Sequence, residues 1–308
     1  MTLVALLCCA LWGSATPAIK TGYKLLRVSG VASIMLFAGM RFFLAGILTV
    51  IIFSCAERKL LIPKKENVPR ILTVSAFQTV IQYIFFYLGL AYTSGVKGTV
   101  ASGSGAFFSV LIASLIFRQE KLTAKKILAC VMGFVGILIM NMDGLAFTGE
   151  ALDLMGVGFV LLSTVSSSFS SVLTKKYSAY ESPVVISGYQ FMIGGLFMAV
   201  VGFAFGGRVY MGSFTGVLDL IYLAFLSAIA YSLWGILLKH NPVSRVTVFN
   251  FTTPIFGVLL TLLFLPDEPS NVTPLSLVIT LVLISVGILL LNYKKPQKST
   301  AIAEENRK

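Results

Sequence analysis

Arg41 stands near the centre of a long apolar run, in the stretch MLFAGMRFFLAG. A cation at the middle of a membrane helix costs roughly 2.5–3.5 kcal/mol on insertion scales, so it must face protein or water. Two roles are open to it. It can attract the carboxylate or phosphate of a substrate, or it can anchor the bundle by donating to backbone carbonyls of neighbouring helices. Gln78 and Gln82 lie four residues apart in another apolar run and share one helical face, with Tyr83 beside them. Buried amides orient a polar substrate or glue helices together, and Gln190 poses the same choice. Trp12, Tyr231 and Trp234 lie deeper in their runs than an interfacial aromatic belt requires, which makes them candidates for stacking or gating. The run from Ser163 to Ser171 is rich in hydroxyls. Small side chains permit close helix packing, and a run of this length also turns some hydroxyls, Ser167 among them, toward the interior. Ser102, Ser104 and Asn250 are read in the same way.

The missing groups narrow the chemistry. All twelve Asp and Glu lie in loops or near the ends of apolar runs, and His240 is the one histidine, in a turn. No cluster of His, Asp and Glu is available for a metal, and no histidine serves a nucleophile. There is no GxxxxGK[ST] phosphate loop. The chain is therefore read as a non-enzyme with no cofactor and no metal. The usual intramembrane carboxylate or histidine proton relay is also missing.

The elements that must position these groups follow from composition. The chain has 308 residues, 57% hydrophobic and 12% charged, against about 25% charged in soluble proteins. Its charges cluster between apolar runs of about 20 residues, the length that crosses a bilayer core as helix. Ten spans are predicted, roughly 2–20, 31–53, 70–92, 98–117, 124–141, 153–174, 184–205, 215–238, 244–265 and 274–293. The first lacks a preceding basic segment and is read as a retained span, not a cleaved signal. Cys8, Cys9, Cys55 and Cys130 fall in or beside apolar runs and read as small hydrophobes. Counted on alternate sides, eighteen Lys and Arg gather on one side and five on the other. By the positive-inside rule both termini are cytoplasmic, and the net charge of +12 is a loop bias with no nucleic-acid partner implied.

The chain repeats itself. GAFFSVLIASLIFRQE and PIFGVLLTLLFLPDE match at an offset of 148, with Glu120 over Glu268. VGILIMN and VGILLLN close spans five and ten, Arg41 aligns with Gln190, and Ala45-Gly46 align with Gly194-Gly195. Lys20 closes span one as Lys175 closes span six. The halves are 2–141 and 153–293, followed by a cytoplasmic tail, 294–308. Five spans per half is an odd number, so the halves enter the membrane in opposite directions. Inverted repeats typify transporters that alternate access around a mid-membrane site. Breakers at matching places, Gly103-Ser104-Gly105 and Thr252-Thr253-Pro254, point to a hinge or to close packing, and Pro17 joins Gly103, Gly105 and Pro254 as a hinge or gate candidate. Glu120 and Glu268 fall at opposite surfaces and suit gates or scaffold contacts. Arg118, Lys121 and Lys125 lie near Glu120 in sequence, and the loop carrying Lys20, Lys24 and Arg27 could serve Glu268.

ALWGSATPAIK, MRFFLAG, LGLAYTSGVKGTVASGSGAFFSV and FRQEKLTAKKILACVMGFVGILI resemble the first half of an EamA-type transporter of the drug/metabolite transporter superfamily. YSLWGILLKHNPVSRVTVFNFTTPIFGVLLTLLFLPDE resembles the second half. Where the family often has proline in span four, this chain has Ala106. The resemblance implies an all-α polytopic membrane protein, with ten transmembrane helices as two inverted five-helix repeats around a central cavity. Spans one to four and six to nine line or flank that cavity. It implies a bacterial cytoplasmic-membrane exporter of small polar or amphipathic metabolites such as amino acids. A passive channel or a lipid scramblase of the same architecture is the alternative. The partners expected are a metabolite and the bilayer, with a homodimer left open.

Overall fold

A computed structural model describes residues 1–93, 98, 101–140, 142, 151–264 and 273–292. Glu268 and the tail 294–308 lie outside the described residues. Regular structure among the described residues is entirely helical. Apolar runs this long cannot leave backbone groups unpaired in a membrane, and a helix satisfies them within the segment.

The helices are α1 (Thr2–Leu25), α2 (Gly30–Glu57), α3 (68–92), α4 (Ala101–Ile116), α5 (Ala124–Met140), α6 (Ala151–Tyr177), α7 (Pro183–Ala204), α8 (Phe214–His240), α9 (243–264) and α10 (Pro274–Asn292). Local chemistry fixes their ends. Pro183 and Pro274 open α7 and α10, where a missing N–H costs nothing. The Ser213 hydroxyl accepts the Gly216 N–H at 3.2 Å and caps α8. Arg58 adopts a left-handed conformation, φ 51°, and closes α2. Eight of these helices are long and apolar enough to cross a membrane, whereas α4 and α5 are each shorter than eighteen residues.

Four helices carry an internal proline or an irregular segment. Pro17 sits inside α1 without ending it. α3 carries a π-helical segment, Ala76–Ile81, and α4 ends in another, Ile112–Ile116. α4 is interrupted by a turn at Ser104, and α9 passes through a 3-10 segment, Val248–Thr252, before resuming at Thr253. The two predicted breaker triplets therefore coincide with actual interruptions. The same device stands at each: Ser104 Oγ donates to the Ala101 carbonyl at 2.6 Å, and Thr252 Oγ1 donates to the Phe249 carbonyl at 2.7 Å.

Helix pairing follows one scheme. α2 packs on α7, α5 on α10, α3 on α6, α1 on α8, α4 on α6 and α1 on α9. Replacing every helix by the one five places along returns the same set of pairs. α2 and α7 run antiparallel, since Gly39 meets Ala199 and Gly195 while Gly46 meets Gly188. α5 and α10 do the same, with Gly287 against Ala129 and Gly136 against Thr280.

Candidate functional site

The centre of the bundle is set by the α2–α7 crossing, and that crossing depends on glycine. A Cβ on Gly39 would stand 2.3 Å from the Ala199 nitrogen, and one on Gly195 would stand 2.3 Å from the Phe43 nitrogen. With lipid as apolar as the side chains, association rests on close backbone approach and interhelical hydrogen bonds. The close approach fixes where Arg41 and Gln190 point.

Arg41 is 4% exposed. Its Nε and one Nη donate to Ser227 Oγ on α8 at 3.2 and 2.9 Å, and Ser227 Oγ donates onward to the Leu223 carbonyl at 2.8 Å. Gln190 is fully buried, and its Oε1 accepts from Thr79 Oγ1 on α3 at 2.7 Å. These are one interaction drawn twice. Gln190 is Arg41 advanced by 149 positions, and Ser227 is Thr79 advanced by 148. Among the described residues no carboxylate forms an ion pair with Arg41. Its guanidinium lies 5.1 Å from the Phe42 ring centroid.

From Phe42 a chain of rings crosses the bundle. Phe42 stacks on Phe191 at 5.1 Å and meets Tyr83 at 4.6 Å. Phe191 meets Tyr231 edge-on at 4.9 Å, Tyr231 meets Trp12 at 5.0 Å, and Trp12 meets Trp234 at 4.9 Å. Tyr83 and Tyr231, separated by 148 positions, bring their hydroxyls within 3.3 Å of each other. Five helices thus supply one aromatic cluster. It unites the sequence-predicted Trp12, Tyr83, Tyr231 and Trp234 and borders Arg41 and Gln190.

Several predicted residues keep a buried polar atom that no described residue satisfies: Trp12 Nε1, Gln82 Oε1, Gln190 Nε2 and Asn250 Oδ1. A buried polar group without a partner costs about 1–3 kcal/mol, so these atoms mark places where a polar ligand would be welcome. Gln78 is buried in the π segment of α3. Ser166 on α6 donates to the Phe77 carbonyl beside it at 2.6 Å. Ser167 donates to the Thr164 carbonyl of its own helix at 2.9 Å, and Ser102 is exposed, so neither joins the aromatic cluster. Much of the α6 hydroxyl run is spent on carbonyls: Ser168 is within reach of those of Gly105 and Thr164, at 3.0 and 2.8 Å.

The basic end of the bundle is laced shut. Glu120 Oε1 accepts the Ser244 N–H at 3.0 Å, and Oε2 accepts from Ser244 Oγ at 2.5 Å and from Lys126 Nζ at 2.7 Å. The turn after α4 is thereby tied to the start of α9. The ion partner is Lys126, six residues on, in place of the cations nearer in sequence. The α5 helix begins at Ala124 and swings Lys126 back over the turn. Burial works to raise the Glu120 carboxyl, but the hydrogen bonds from Lys126 and Ser244 outweigh it and hold it below the usual carboxylate range. Lys175 donates to the Leu238 carbonyl at 2.9 Å and to the Asn241 carbonyl, closing α8. Glu181 binds the Lys64 N–H and Asn67 Nδ2, both at 3.0 Å, and joins the loop after α2 to the loop after α6. Burial opposes ionisation of Glu181 too, and the Asn67 and backbone donors overcome it, leaving its carboxyl lowered.

Sequence reasoning missed Ser227 and Thr79, whose places follow once the 148-residue offset is applied to span three. It also missed the inward turn of Asp219. That residue lies in the second turn of α8, near a helix end as expected, yet its Oδ2 is buried with no partner among the described residues. It lies against Gly22, where a Cβ would stand 2.5 Å from Oδ2 and would require the Asp219 side chain to move.

Comparison with known proteins places this architecture. A transporter of Bacillus subtilis named as uncharacterized is 27% identical over 274 residues, covering 87% of this chain and 86% of its own. An uncharacterized transporter of Archaeoglobus fulgidus is 24% identical, covering 80% and 84%. A WAT1-related chloroplastic protein of Arabidopsis thaliana is 25% identical, covering 92% and 67%. A solved crystal structure superposes with a TM-score of 0.77 at 16% identity, covering 100% of this chain and 98% of the other, which is a likeness of fold. The EamA-like transporter family matches residues 1–142 and 154–293. With its helices, its paired interactions and those two matched stretches, the chain belongs to the EamA-like transporter family and is a multi-pass membrane transporter.

Proposed function

We propose that this transporter is a ten-span, inverted-repeat carrier of the cell membrane that exports a small polar or amphipathic metabolite, such as an amino acid, by alternating access through a central cavity. The observation that carries the reading is direction. α2 and α7 hold equivalent places in the repeat and run antiparallel, as do α5 and α10. Opposite direction at equivalent positions is what an inverted repeat requires, and rocking of one half against the other then exchanges the exposed side. α4 and α5 complete the ten spans. The basic end and both termini lie in the cytoplasm by the positive-inside rule. The substrate meets Arg41, Gln190 and the aromatic cluster around Trp12, Tyr83, Tyr231 and Trp234, with Gln78, Gln82 and Asn250 on the flanks. The breaks at Ser104 and Thr252 hinge α4 and α9, and Gly103, Gly105, Pro17 and Pro254 supply the local freedom. The Glu120 strap is the cytoplasmic gate, with Glu268 as its counterpart on the far side.

The test has two stages. Metabolite profiles of cells with and without the protein select a solute, and the purified protein in liposomes is then assayed for counterflow of that solute. Saturable counterflow is expected. Ohmic single-channel current without counterflow would replace the carrier by a channel, and lipid flipping without either would make it a scramblase.

A further inference from the structure

A cavity of about 570 Å³ opens at the basic end, where the turn after α4 meets the ends of α6, α8 and α10 and the start of α9. Lys125, Lys126, Lys175, Lys239 and Arg245 line it, and among the described residues Glu120 is the one carboxylate in its wall. Both Glu120 oxygens are already taken by Ser244 and Lys126, and Lys175 is committed to carbonyls. The side chains of Lys125, Lys239 and Arg245 make no hydrogen bond or ion pair with any described residue. Three uncommitted cations from α5, α8 and α9 therefore face one concave space. The rest of the wall mixes polar groups, Gln119, Thr123, His240 and Asn241 among them, with two leucines, Leu290 and Leu291, where α10 ends. Outward from it run the lipid-sized faces of α5 and α10, with Ile127, Leu128 and Val131 on one and Val282, Val286 and Leu289 on the other all exposed.

A cationic cleft that continues into an apolar two-helix face matches a ligand with an anionic head and a hydrocarbon tail. A free anion would use the cations alone, whereas a lipid headgroup at this height also places its acyl chains beside Leu290 and along the bilayer-facing sides of α5 and α10. We propose that this cavity binds the headgroup of an anionic phospholipid, with the phosphate held by Lys125, Lys239 and Arg245 and the acyl chains lying along α5 and α10. Basic pockets between helix ends on the cytoplasmic side suit such headgroups. The proposal rests on the cytoplasmic placement of the basic end. A phosphate here ties α5, α8 and α9 together beside the Glu120–Ser244 strap, so bound lipid holds that end closed.

The full chain is reconstituted in vesicles of phosphatidylcholine alone and of phosphatidylcholine with phosphatidylglycerol, and its thermal midpoint is measured in each. Phosphatidylglycerol is expected to raise the midpoint by about 3 °C or more. The triple variant K125Q/K239Q/R245Q should lose that rise while keeping the wild-type midpoint in pure phosphatidylcholine. A control triple, R58Q/K59Q/K65Q in the loop after α2, should retain it. Equal loss in both triples would reduce the effect to general surface charge and overturn the site. An equal rise from millimolar inorganic phosphate in pure phosphatidylcholine would overturn the lipid in favour of a free anion. No rise in the wild type would overturn both. Counterflow in pure phosphatidylcholine, which the triple variant should retain, reports on the carrier reading independently of these outcomes.

Discussion

Arg41 and Gln190 occupy equivalent places in the two halves of the bundle, and each meets a hydroxyl on an equivalent neighbour, Ser227 and Thr79. The helix breaks at Ser104 and Thr252 correspond as well, down to the hydroxyl that reaches back three residues. So do Tyr83 and Tyr231. Other positions do not correspond. α3 has a π segment where the equivalent stretch of α8 is regular helix. By the alignment that pairs Lys20 with Lys175, Trp12 meets Ser167, and the two helices differ throughout in this way. α1 brings an indole and thiols to the interior, Cys9 donating to the Phe249 carbonyl at 3.2 Å, whereas α6 brings hydroxyls. The backbone devices are shared and the lining is not. Shared devices suit two halves that exchange roles, and an unequal lining suits a ligand that has no symmetry of its own.

The largest effect comes from breaking what the halves share. Gly195→Leu drives a side chain into the backbone of α2, where even a Cβ stands 2.3 Å from Phe43 N. The cost should exceed about 3 kcal/mol, because backbone cannot yield as a side chain can. Size-exclusion of the fluorescently tagged protein should show loss of the monodisperse peak, and a normal peak would sink the account of the crossing. Next comes the sharpest difference between halves. Arg41→Gln installs the residue that the second half uses at this place. The amide can still meet Ser227, so stability should fall by only about 1 kcal/mol. Counterflow of a carboxylate-bearing metabolite should fall about tenfold or more, the scale of one charge-assisted contact. Unchanged transport would leave Arg41 as an anchor alone.

How much of this was legible beforehand divides along the same line. Helices and their rough bounds could be read because apolar length is a local property, as is the match between phrases such as AFFSVL and PIFGVL. Depth beyond an interfacial belt marks Trp12, Tyr231 and Trp234 as candidates, and Tyr83 stands out beside Gln78 and Gln82. Their convergence, and the Phe42–Phe191 stack between them, depends on which helices pair, and no local signal encodes that. Ser227 and Thr79 look like any small residue in a membrane helix until their partners are known. Nearness in sequence points Glu120 to Arg118, Lys121 and Lys125, whereas the turn before α5 brings Lys126 to it. Asp219 stood near a helix end as expected, but the rotamer that buries its oxygen against Gly22 is a packing property.

A smaller effect is expected at the basic end. Glu120→Gln removes the charge that faces Lys126 and weakens the bonds to Ser244, at a cost of about 1.5–3 kcal/mol to the closed strap. A cysteine placed at position 245 should then react faster with an impermeant maleimide from that side. The pH dependence has a definite sign. The folded carboxyl is lowered, so its contribution is complete above the ordinary carboxylate range and disappears as pH falls through the depressed folded value. Maleimide reactivity, divided at each pH by that of the same cysteine in the unfolded chain to remove the falling thiolate fraction, should stay low at neutral and mildly acidic pH and rise only below the ordinary carboxylate range. A rise that begins above that range would mean that another group controls the strap.

The smallest effect tests the axis itself. Tyr83 and Tyr231 are equivalents that touch each other, with hydroxyls 3.3 Å apart. If that contact is all they contribute, Tyr83→Phe and Tyr231→Phe should each cost about 0.5–1.5 kcal/mol, and the double variant should cost no more than either single. Additive losses would show that each hydroxyl has its own work. Transport separates the two further. Tyr231 also touches Trp12 and Phe191, whereas Tyr83 touches Phe42 and Tyr87. Equal stability losses with unequal counterflow would mean that the pair is symmetric as scaffold and asymmetric as lining. Equal losses in both would return this pair to scaffold and leave Arg41 and Gln190 as the place where the halves part.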